Sequence, residues 1–549
     1  MPKVVILGGG VAGLSAAHEL IDRGFAVEVY EKCATFGGKA QSYSKPHSGN
    51  PPLKDLPGEH GFRFFPGFYQ HVTDTMKRIP FPGKTNGVFD NLVSASQTAI
   101  AQEGKPLYVF ANHLPSSVQD WMLALQDWFG APVLGLAPWD VGYFVSRMLK
   151  IMSMCDKRRL KELETTPWWN FIDAKNRPPA YQNLLARGLT RSLVAMRAEE
   201  GDSRTIGCIL IQMMMSMTSQ ATTMDRVLNA PTNEAWISPW VQYLTGKGVV
   251  LINNAEVKAV HFDGTRITDV SVQLPTGVTK VAADYYVAAF PVEVAQRLLT
   301  TLGPPSLQRI NNLKYEWMNG LQFYLHRDVP MCHGHLIFAN SSWAVTAIAQ
   351  PQFWSNINLG QYGDGTVRGL ISVDISDWTT PGTKTTPKQA NQCTEDEIVA
   401  ETWQQVQDHM IATSTPLQLS DLKDHFLDPS IIPTVTNTQP LLVNTAGSWK
   451  NRPTAATEIP NLFLASDYVQ TNTDLATMEG ANEAARRAVN EIVRASGSNA
   501  ALCGVWPFAE PAVFKPLKDI DEGFFNLGLP QPGLGFAQSI KSIKSFLGL

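Results

Sequence analysis

A chain of 549 residues is too long for one hydrophobic core, so two or more lobes are expected. Charged residues make up 17% against 44% hydrophobic, which implies much buried or apolar surface. The formal net charge of -4 supplies no basic field to hold a polyanion, so nucleic acid is excluded as an expected partner.

Val4-Val5-Ile6-Leu7 is a continuous apolar, β-branched run, the pattern of a buried parallel strand. Gly8, Gly10 and Gly13 follow in G-x-G-x-x-G spacing, with Val11 and Ala12 before the last glycine. A helical pattern then puts Leu14, Ala17 and Leu20 on one face, and Gly24 ends it. Val27 to Tyr30 form a second strand, closed by Glu31 and Lys32, about 20 residues beyond the glycine turn. Gly8 permits the tight turn, Gly10 lets a pyrophosphate approach the backbone, and Gly13 lets helix and strand pack closely. The helix start at Val11 and Ala12 offers free N–H groups and a partial positive charge. Glu31 is placed to accept both ribose hydroxyls and repels a 2′-phosphate, which argues against NADP. Taken alone, this unit leaves NAD and FAD open.

Phe36-Gly37-Gly38-Lys39 reads as a loop that lets backbone approach a flat ligand, with Lys39 adding a cation. Gly58-Glu59-His60-Gly61-Phe62-Arg63-Phe64-Phe65-Pro66-Gly67-Phe68-Tyr69 mixes aromatics, glycines and one arginine. That mixture suits a wall around a ring system, and equally a loop packed on a core. The first segment resembles the GG-[RK] motif of flavin amine oxidases and phytoene-desaturase-like enzymes. The second resembles the E-x-G-x-H-x-F-F-G-x-Y segment of plant-type phytoene and ζ-carotene desaturases, and is similar to hydroxysqualene dehydroxylases. The resemblance implies an α/β protein: a glutathione-reductase-like (Rossmann) FAD-binding domain with a mixed-sheet plus helical substrate domain. It implies FAD as cofactor, with Gly37, Gly38, Lys39, Gly61, Phe62 and Arg63 around it. Arg63 stands where the plant-type enzymes carry His, so the role of that His does not carry over.

The first long insert, residues 75–240, has Trp121, Met122, Leu125, Trp128 and Phe129 at helical spacing. It also has a Met-rich run from Ile206 to Met217, including Met213, Met214 and Met215. Gly248 to Ile252 reads as a strand leading to Val257 and to alternation through Val270 and Val272. With Ala283-Asp284-Tyr285-Tyr286-Val287-Ala288-Ala289-Phe290-Pro291, this resembles the family's second cofactor segment. That implies the adenine side near Val257 and the flavin near Ala289; an antiparallel meander without ligand contact fits the same residues.

The second insert, 300–445, carries Trp317 and period-two alternation over Leu321 to Leu325, a sheet pattern, then Trp343, Trp354 and Trp378. A sheet floor under a helical lid makes a long apolar cavity; plain core packing explains each element equally well. Asn461-Leu462-Phe463-Leu464-Ala465-Ser466-Asp467-Tyr468 and Met478-Glu479-Gly480-Ala481-Asn482 resemble the family's N-L-F-x-A-G-D and M-E-G-A pair. The resemblance places Asp467 at the ribityl or phosphate region and Met478, Glu479, Gly480 and Ala481 at the flavin's pyrimidine edge. A helix start there stabilises negative charge on the reduced ring. Ser466 and Glu483-Ala484 depart from the family pattern. Segments 1–74, 241–299 and 446–495 are thus expected to hold cofactor, and 75–240 and 300–445 substrate. The tail, 496–549, ends in a short basic amphipathic helix around Ile540, Ile543 and Phe546, suited to a membrane interface or a groove on its own domain.

His333 and His335 lack a second ligand pair at zinc spacing, so no metal is expected. The six cysteines form no CxxC pair, which fits a reduced, cytosolic setting. No apolar run is long enough for a transmembrane helix, and strand-like sequence from Lys3 leaves no room for a leader. Peripheral membrane contact stays open.

The reading is an FAD-dependent oxidoreductase that passes hydride to flavin N5 from a large apolar substrate, an isoprenoid or polyene, with oxygen or a quinone as acceptor. Arg63 and Tyr69 are the catalytic candidates. Arg63 is placed to stabilise reduced flavin or developing substrate charge, or to serve as an ion-pair partner. The alternatives are a flavin amine or amino-acid oxidase, a redox-neutral FAD isomerase or dehydroxylase, and a flavin-binding protein without catalysis. Amine oxidases often carry an aromatic before the M-E-G-A motif; Leu475-Ala476-Thr477 has none.

Overall fold

A computed structural model of the chain describes residues 1–61, 64–109, 135–194, 196–217, 225–413 and 416–533. Two compact units are formed. The first takes Met1–Val109, Asp225–Val443 and Lys450–Pro507; the second takes Phe110–Met224, Asn444–Trp449 and Phe508–Leu549. The Trp121 to Phe129 pattern and the tail helix around Ile540 lie outside the described residues.

The strands used below are β1 Lys3–Leu7, β2 Ala26–Tyr30, β3 Gln97–Gln102, β4 Tyr108–Val109, β5 Asp225–Leu228, β6 Val250–Ile252 and β7 Tyr285–Ala288. They continue with β8 Asn319–Leu325, β9 Gly334–Ala339, β10 Val345–Ala349, β11 Gly369–Ile375, β12 Leu422–Leu427 and β13 Leu462–Leu464. The helices are α1 Val11–Ile21, α2 His71–Lys77, α3 Pro138–Ser153, α4 Ser203–Met217, α5 Glu395–Met410, α6 Met478–Ala495 and α7 Lys515–Asn526.

In the first unit β13-β7-β1-β2-β6 make a five-stranded, all-parallel sheet. The apolar run at Val4 to Leu7 is its centre, fully buried between β7 and β2. Helix α1 is buried along its length from Val11 to Leu20, not on the Leu14–Ala17–Leu20 face alone. The reason is that α6 packs along one side, where Asn482 Nδ2 donates to Ser15 Oγ at 2.8 Å, and the helix Ser238–Gly246 meets another, where Trp240 Nε1 donates to His18 Nδ1 at 3.1 Å. Residues 256–281 form a three-stranded antiparallel meander containing Val257, Val270 and Val272.

The same unit holds a seven-stranded mixed sheet, β12-β8-β11-β10-β9-β3-β4. The Leu321–Leu325 alternation is strand β8, buried on both faces. Leu321, Phe323, Val373, Ile371, Ala347 and Leu336 lie on one face, in a core with Ile398, Trp403, Val406 and Met410 of α5. Register places Gly320, Asp374 and Thr346 on the other face, with Gln322, Ser372 and Ile348 beside them. Part of that face is polar, where Ser372 donates to Gln322 Oε1 at 2.6 Å and Gln350 donates to Ser372 at 3.0 Å, and the rest is apolar, with Tyr324, Ile348 and Leu370 in a second buried cluster.

The second unit is helical. Phe144 of α3 packs edge-on against Trp168 and Tyr181, all buried. Met213 and Met214 of α4 are buried core residues. Helix α7 is fastened through Asp521, which accepts from Cys155 N at 2.8 Å and Arg158 Nε at 2.8 Å. No helix among the described residues is long and apolar enough to cross a membrane. All six cysteines are free.

Candidate functional site

The glycine turn is fixed by backbone crowding. A Cβ on Gly13 would sit 1.9 Å from the carbonyl oxygen of Gly8, and one on Gly8 would sit 2.8 Å from that of Ala289. Gly8 also takes φ +110, the left-handed region open to glycine. At Gly10 the nearest atoms to a Cβ belong to the backbone of Gly38 and Gly37, at 3.7 and 4.0 Å. Gly37 N donates to Gly9 O at 2.9 Å, so the two glycine loops are hydrogen-bonded to each other. Gly10 opens α1 and no side chain caps that start. Its first N–H groups, at buried Val11 and Ala12, have no partner within the helix, the arrangement that receives an anionic group.

Glu31 is buried, with one carboxylate oxygen 2.7 Å from Gly9 N and the other 2.8 Å from Cys33 N. Those bonds fix the charge beside the turn, and each oxygen keeps a second lone pair for a hydroxyl donor. Ala255 N donates to Glu31 O at 2.8 Å, which brings the start of the meander and Val257 to this end. Ala289 N donates to Leu7 O, so Ala289 also borders the turn. Lys32 is exposed. Lys39 is not an open cation: Nζ pairs with Glu293 at 3.0 Å and bonds the carbonyl of Pro440. Burial pushes the Glu293 carboxyl up, and Lys39 counters it.

The second helix start, at α6, is capped by Thr477, whose hydroxyl accepts from Gly480 N at 3.0 Å. A Cβ on Gly480 would sit 2.8 Å from Leu475 O. Ala481 N bonds Thr477 O at 3.0 Å. Glu479 is 1% exposed and turned to another task. Its carboxylate accepts from Gln70 N, His71 N and Val72 N and pairs with His71 Nδ1, which caps α2. Tyr69, one residue before that cap, is buried and edge-on to Phe68. Burial pushes its phenol far above the ordinary range, the Glu479 carboxylate adds to this, and a hydrogen bond with Thr477 opposes it. Tyr69 therefore keeps its proton at neutral pH. Arg63 and Phe62 lie outside the described residues. Gly61 is buried, and a Cβ there would sit 3.4 Å from Asp374 Oδ1.

Four groups were not anticipated from the motifs. Arg452 is fully buried and donates to the carbonyls of Asp467, Tyr468 and Val469 while pairing with Asp474, so the loop after β13 wraps around one guanidinium. Asp467 itself accepts from Ser466 Oγ at 3.2 Å. Asn482, the last residue of the M-E-G-A segment, joins α6 to α1 and α2 through Ser15 and Thr75. His60 Nδ1 lies 2.5 Å from Asp428 Oδ2, and His335 Nδ1 lies 2.5 Å from Asp225 Oδ2; all four residues are buried. An acid and a histidine far apart in sequence leave no local pattern, so the sequence showed His60 inside a motif segment and His335 beside His333 without showing their acid partners. No group of three metal-ligating side chains is found among the described residues.

The residues present fit a dinucleotide: an uncapped buried helix start, two glycines, Gly8 and Gly13, that leave no space for a side chain, and a fixed carboxylate one strand away. Comparison with known proteins agrees. The profile of flavin containing amine oxidoreductases matches residues 11–493. The chain is 24% identical over 336 residues to the chloroplastic/chromoplastic zeta-carotene desaturase of Arabidopsis thaliana, covering 54% of this chain and 52% of that one. It thus spans about half the length of that relative. It is 22% identical over 502 residues to the 15-cis-phytoene desaturase of Synechococcus elongatus, covering 87% and 93%. Among solved structures, the cyclohexylamine oxidase of Brevibacterium oxydans shares the fold with a TM-score of 0.62 at 12% identity, covering 90% of this chain and 99% of that one. A putrescine oxidase matches with a TM-score of 0.61 at 11% identity, over 90% and 99%. The uncapped helix start, the glycine cradle and a profile match over residues 11–493 lead to one conclusion: this chain belongs to the family of flavin-containing amine oxidoreductases, which are FAD-dependent oxidoreductases.

Proposed function

We propose that the protein is an FAD-dependent dehydrogenase that removes hydrogen from a large apolar isoprenoid or polyene. The observation that carries this reading is the similarity to carotene and phytoene desaturases, which reaches 87% of the chain at the phytoene enzyme. The absence of an aromatic at the α6 start supports it, since Thr477 occupies that position as a helix cap. Phe64, Phe65, Phe68 and Tyr69 give the wall an apolar character suited to a hydrocarbon.

FAD, when bound, supplies a two-electron hydride acceptor. The chain's own residues do the rest. The α1 start and Glu31 are assigned to the pyrophosphate and ribose, and the α6 start to the flavin edge. Gly8, Gly10, Gly13, Gly37 and Gly38 let backbone approach the cofactor, and Tyr69 presents a neutral hydroxyl beside Thr477. The aromatic wall excludes water from the reacting carbons.

The test is product analysis. Purified protein given 15-cis-phytoene or ζ-carotene in detergent micelles, with a soluble quinone as acceptor, should yield a polyene two hydrogens lighter and absorbing at longer wavelength. Unchanged polyene, together with aldehyde and peroxide formed from simple amines in air, would replace this reading with an amine oxidase on the same fold.

A further inference from the structure

We propose that His60 is the base that receives the proton in this reaction; the inference rests on the dehydrogenase reading above. Making a C=C bond from two adjacent C–H carbons removes two hydrogens. One leaves with its electron pair as hydride, passed to the oxidised flavin. The other leaves as a proton, and the electrons of its C–H bond become the second bond of the alkene. The balance requires a proton acceptor beside the substrate, and histidine is the residue type best matched to that task near neutral pH.

His60 belongs to the aromatic-rich segment 58–69 and is 4% exposed. Its Nδ1 is 2.5 Å from Asp428 Oδ2. Asp428 is 1% exposed and held in turn: Ser430 N and Ser430 Oγ donate to its Oδ1 at 2.7 and 2.5 Å. Burial raises the Asp428 carboxyl, but His60 and Ser430 outweigh it and hold the carboxyl below the ordinary value. An ionised Asp428 puts the imidazole proton on Nδ1 and makes Nε2 the basic nitrogen, the arrangement by which a carboxylate orients a catalytic histidine. Both ring nitrogens are buried: Nδ1 meets Asp428 Oδ2 as a close ion-pair contact without ordinary hydrogen-bond geometry, and Nε2 has no hydrogen-bond partner among the described residues. A buried imidazole nitrogen left in that state is costly unless a ligand or water meets it.

The support behind the pair is extensive. Ser430 accepts from Asn319 Nδ2 at 2.9 Å, and Asn319 accepts from Asn437 at 2.6 Å. The backbone of His60 is pinned to β8, with Gly320 N donating to its carbonyl at 2.6 Å. A Cβ on Gly320 would come within 2.8 Å of that carbonyl and of Gly61 Cα. Among the described residues, the charged groups placed nearest to it are Asp428 from the turn after β12 and Asp374 from β11, which borders Gly61; β8 offers the uncharged Gly320 and Gln322.

The experiment pairs two readouts on the holoprotein. In ¹⁵N spectra of histidine-labelled protein, with the His60 signal assigned by its loss in His60→Asn, Nδ1 should carry the proton and Nε2 should not. In anaerobic stopped-flow with ζ-carotene or 15-cis-phytoene, His60→Asn should keep FAD and its visible spectrum while flavin reduction slows by on the order of 10²-fold or more. Asp428→Asn, which keeps the imidazole, should slow reduction by a smaller factor and serves if His60→Asn does not fold. A protonated Nε2, or reduction in the variants at the wild-type rate, overturns the assignment. Wild-type protein that neither polyene reduces overturns the function proposal instead, and this inference falls with it.

Discussion

The parallel sheet and the seven-stranded sheet prepare their chemistry by different means. Around the parallel sheet the working groups are mostly backbone: the uncapped start of α1, the glycine loop at Gly37 and Gly38, and the N–H groups that hold Glu31. Around the seven-stranded sheet they are side chains paired over long separations, such as His335 and Asp225, 110 positions apart. Backbone sites need glycine at fixed local spacing. Side-chain pairs need only that the fold bring two elements together. The first region therefore tolerates almost no change at a few positions, and the second spreads its requirements over many.

Glycine substitutions break the comparison most sharply. Gly13→Val drives a side chain into the carbonyl of Gly8, where backbone cannot yield. The expected outcome is colourless protein that fails to take up added FAD, read by absorbance after reconstitution. Gly320→Ala places its Cβ against Gly61 and shifts the wall while leaving the parallel sheet alone. FAD should stay bound while substrate-dependent flavin reduction falls by on the order of 10²-fold, as small misplacements of reacting groups do. FAD loss in Gly320→Ala would mean that the two regions are not separable.

Glu31→Gln sharpens the same contrast at smaller scale. It keeps the shape and removes the charge, at about 1.5–3 kcal/mol for a hydrogen bond to a charged group. FAD retention on dialysis should weaken tenfold or more, and unchanged retention would remove Glu31 from the ribose. The smallest effect is on stability against pH. Burial lowers the His18 pKa to about 4, with Arg78 adding to the shift. The unfolded chain takes that proton near pH 6.5 and the folded chain does not. Stability should therefore fall as pH drops from about 6.5 towards 4. Glu19, buried but held at about 2 by Arg486 and Arg78, adds its own loss only below about 4.5. Melting temperatures of His18→Gln should be flatter than wild type between pH 6.5 and 4.5; parallel curves would contradict this.

The same contrast explains what could be read from sequence. Strand, glycine turn, helix, strand and acid are contiguous, and each residue's role follows from a local steric demand, so β1 through Glu31 was legible. The β6 strand was legible as a short apolar run, whereas the segments that hold β7 and β13 were marked only by their resemblance to family motifs. That α1 would be buried on every side was not, because the partner that accepts Ser15 is Asn482 at the far end of the chain. Glu479 shows a further limit. Its motif points to the flavin edge, whereas its carboxylate is taken up by the start of α2, a contact spanning 409 positions to Gln70. Arg452 and Asp428 left no motif at all, and His60, though inside the Gly58–Tyr69 segment, carried no sign of its partner 368 positions on.

The measurement that bears most directly on the account is an anaerobic single turnover watched through the flavin absorbance. Holoprotein mixed with ζ-carotene or 15-cis-phytoene in the absence of any acceptor should bleach within one turnover, because the electrons have no other destination. Bleaching by simple amines with none by either polyene, or conversion of polyene with no lasting bleaching, would contradict it.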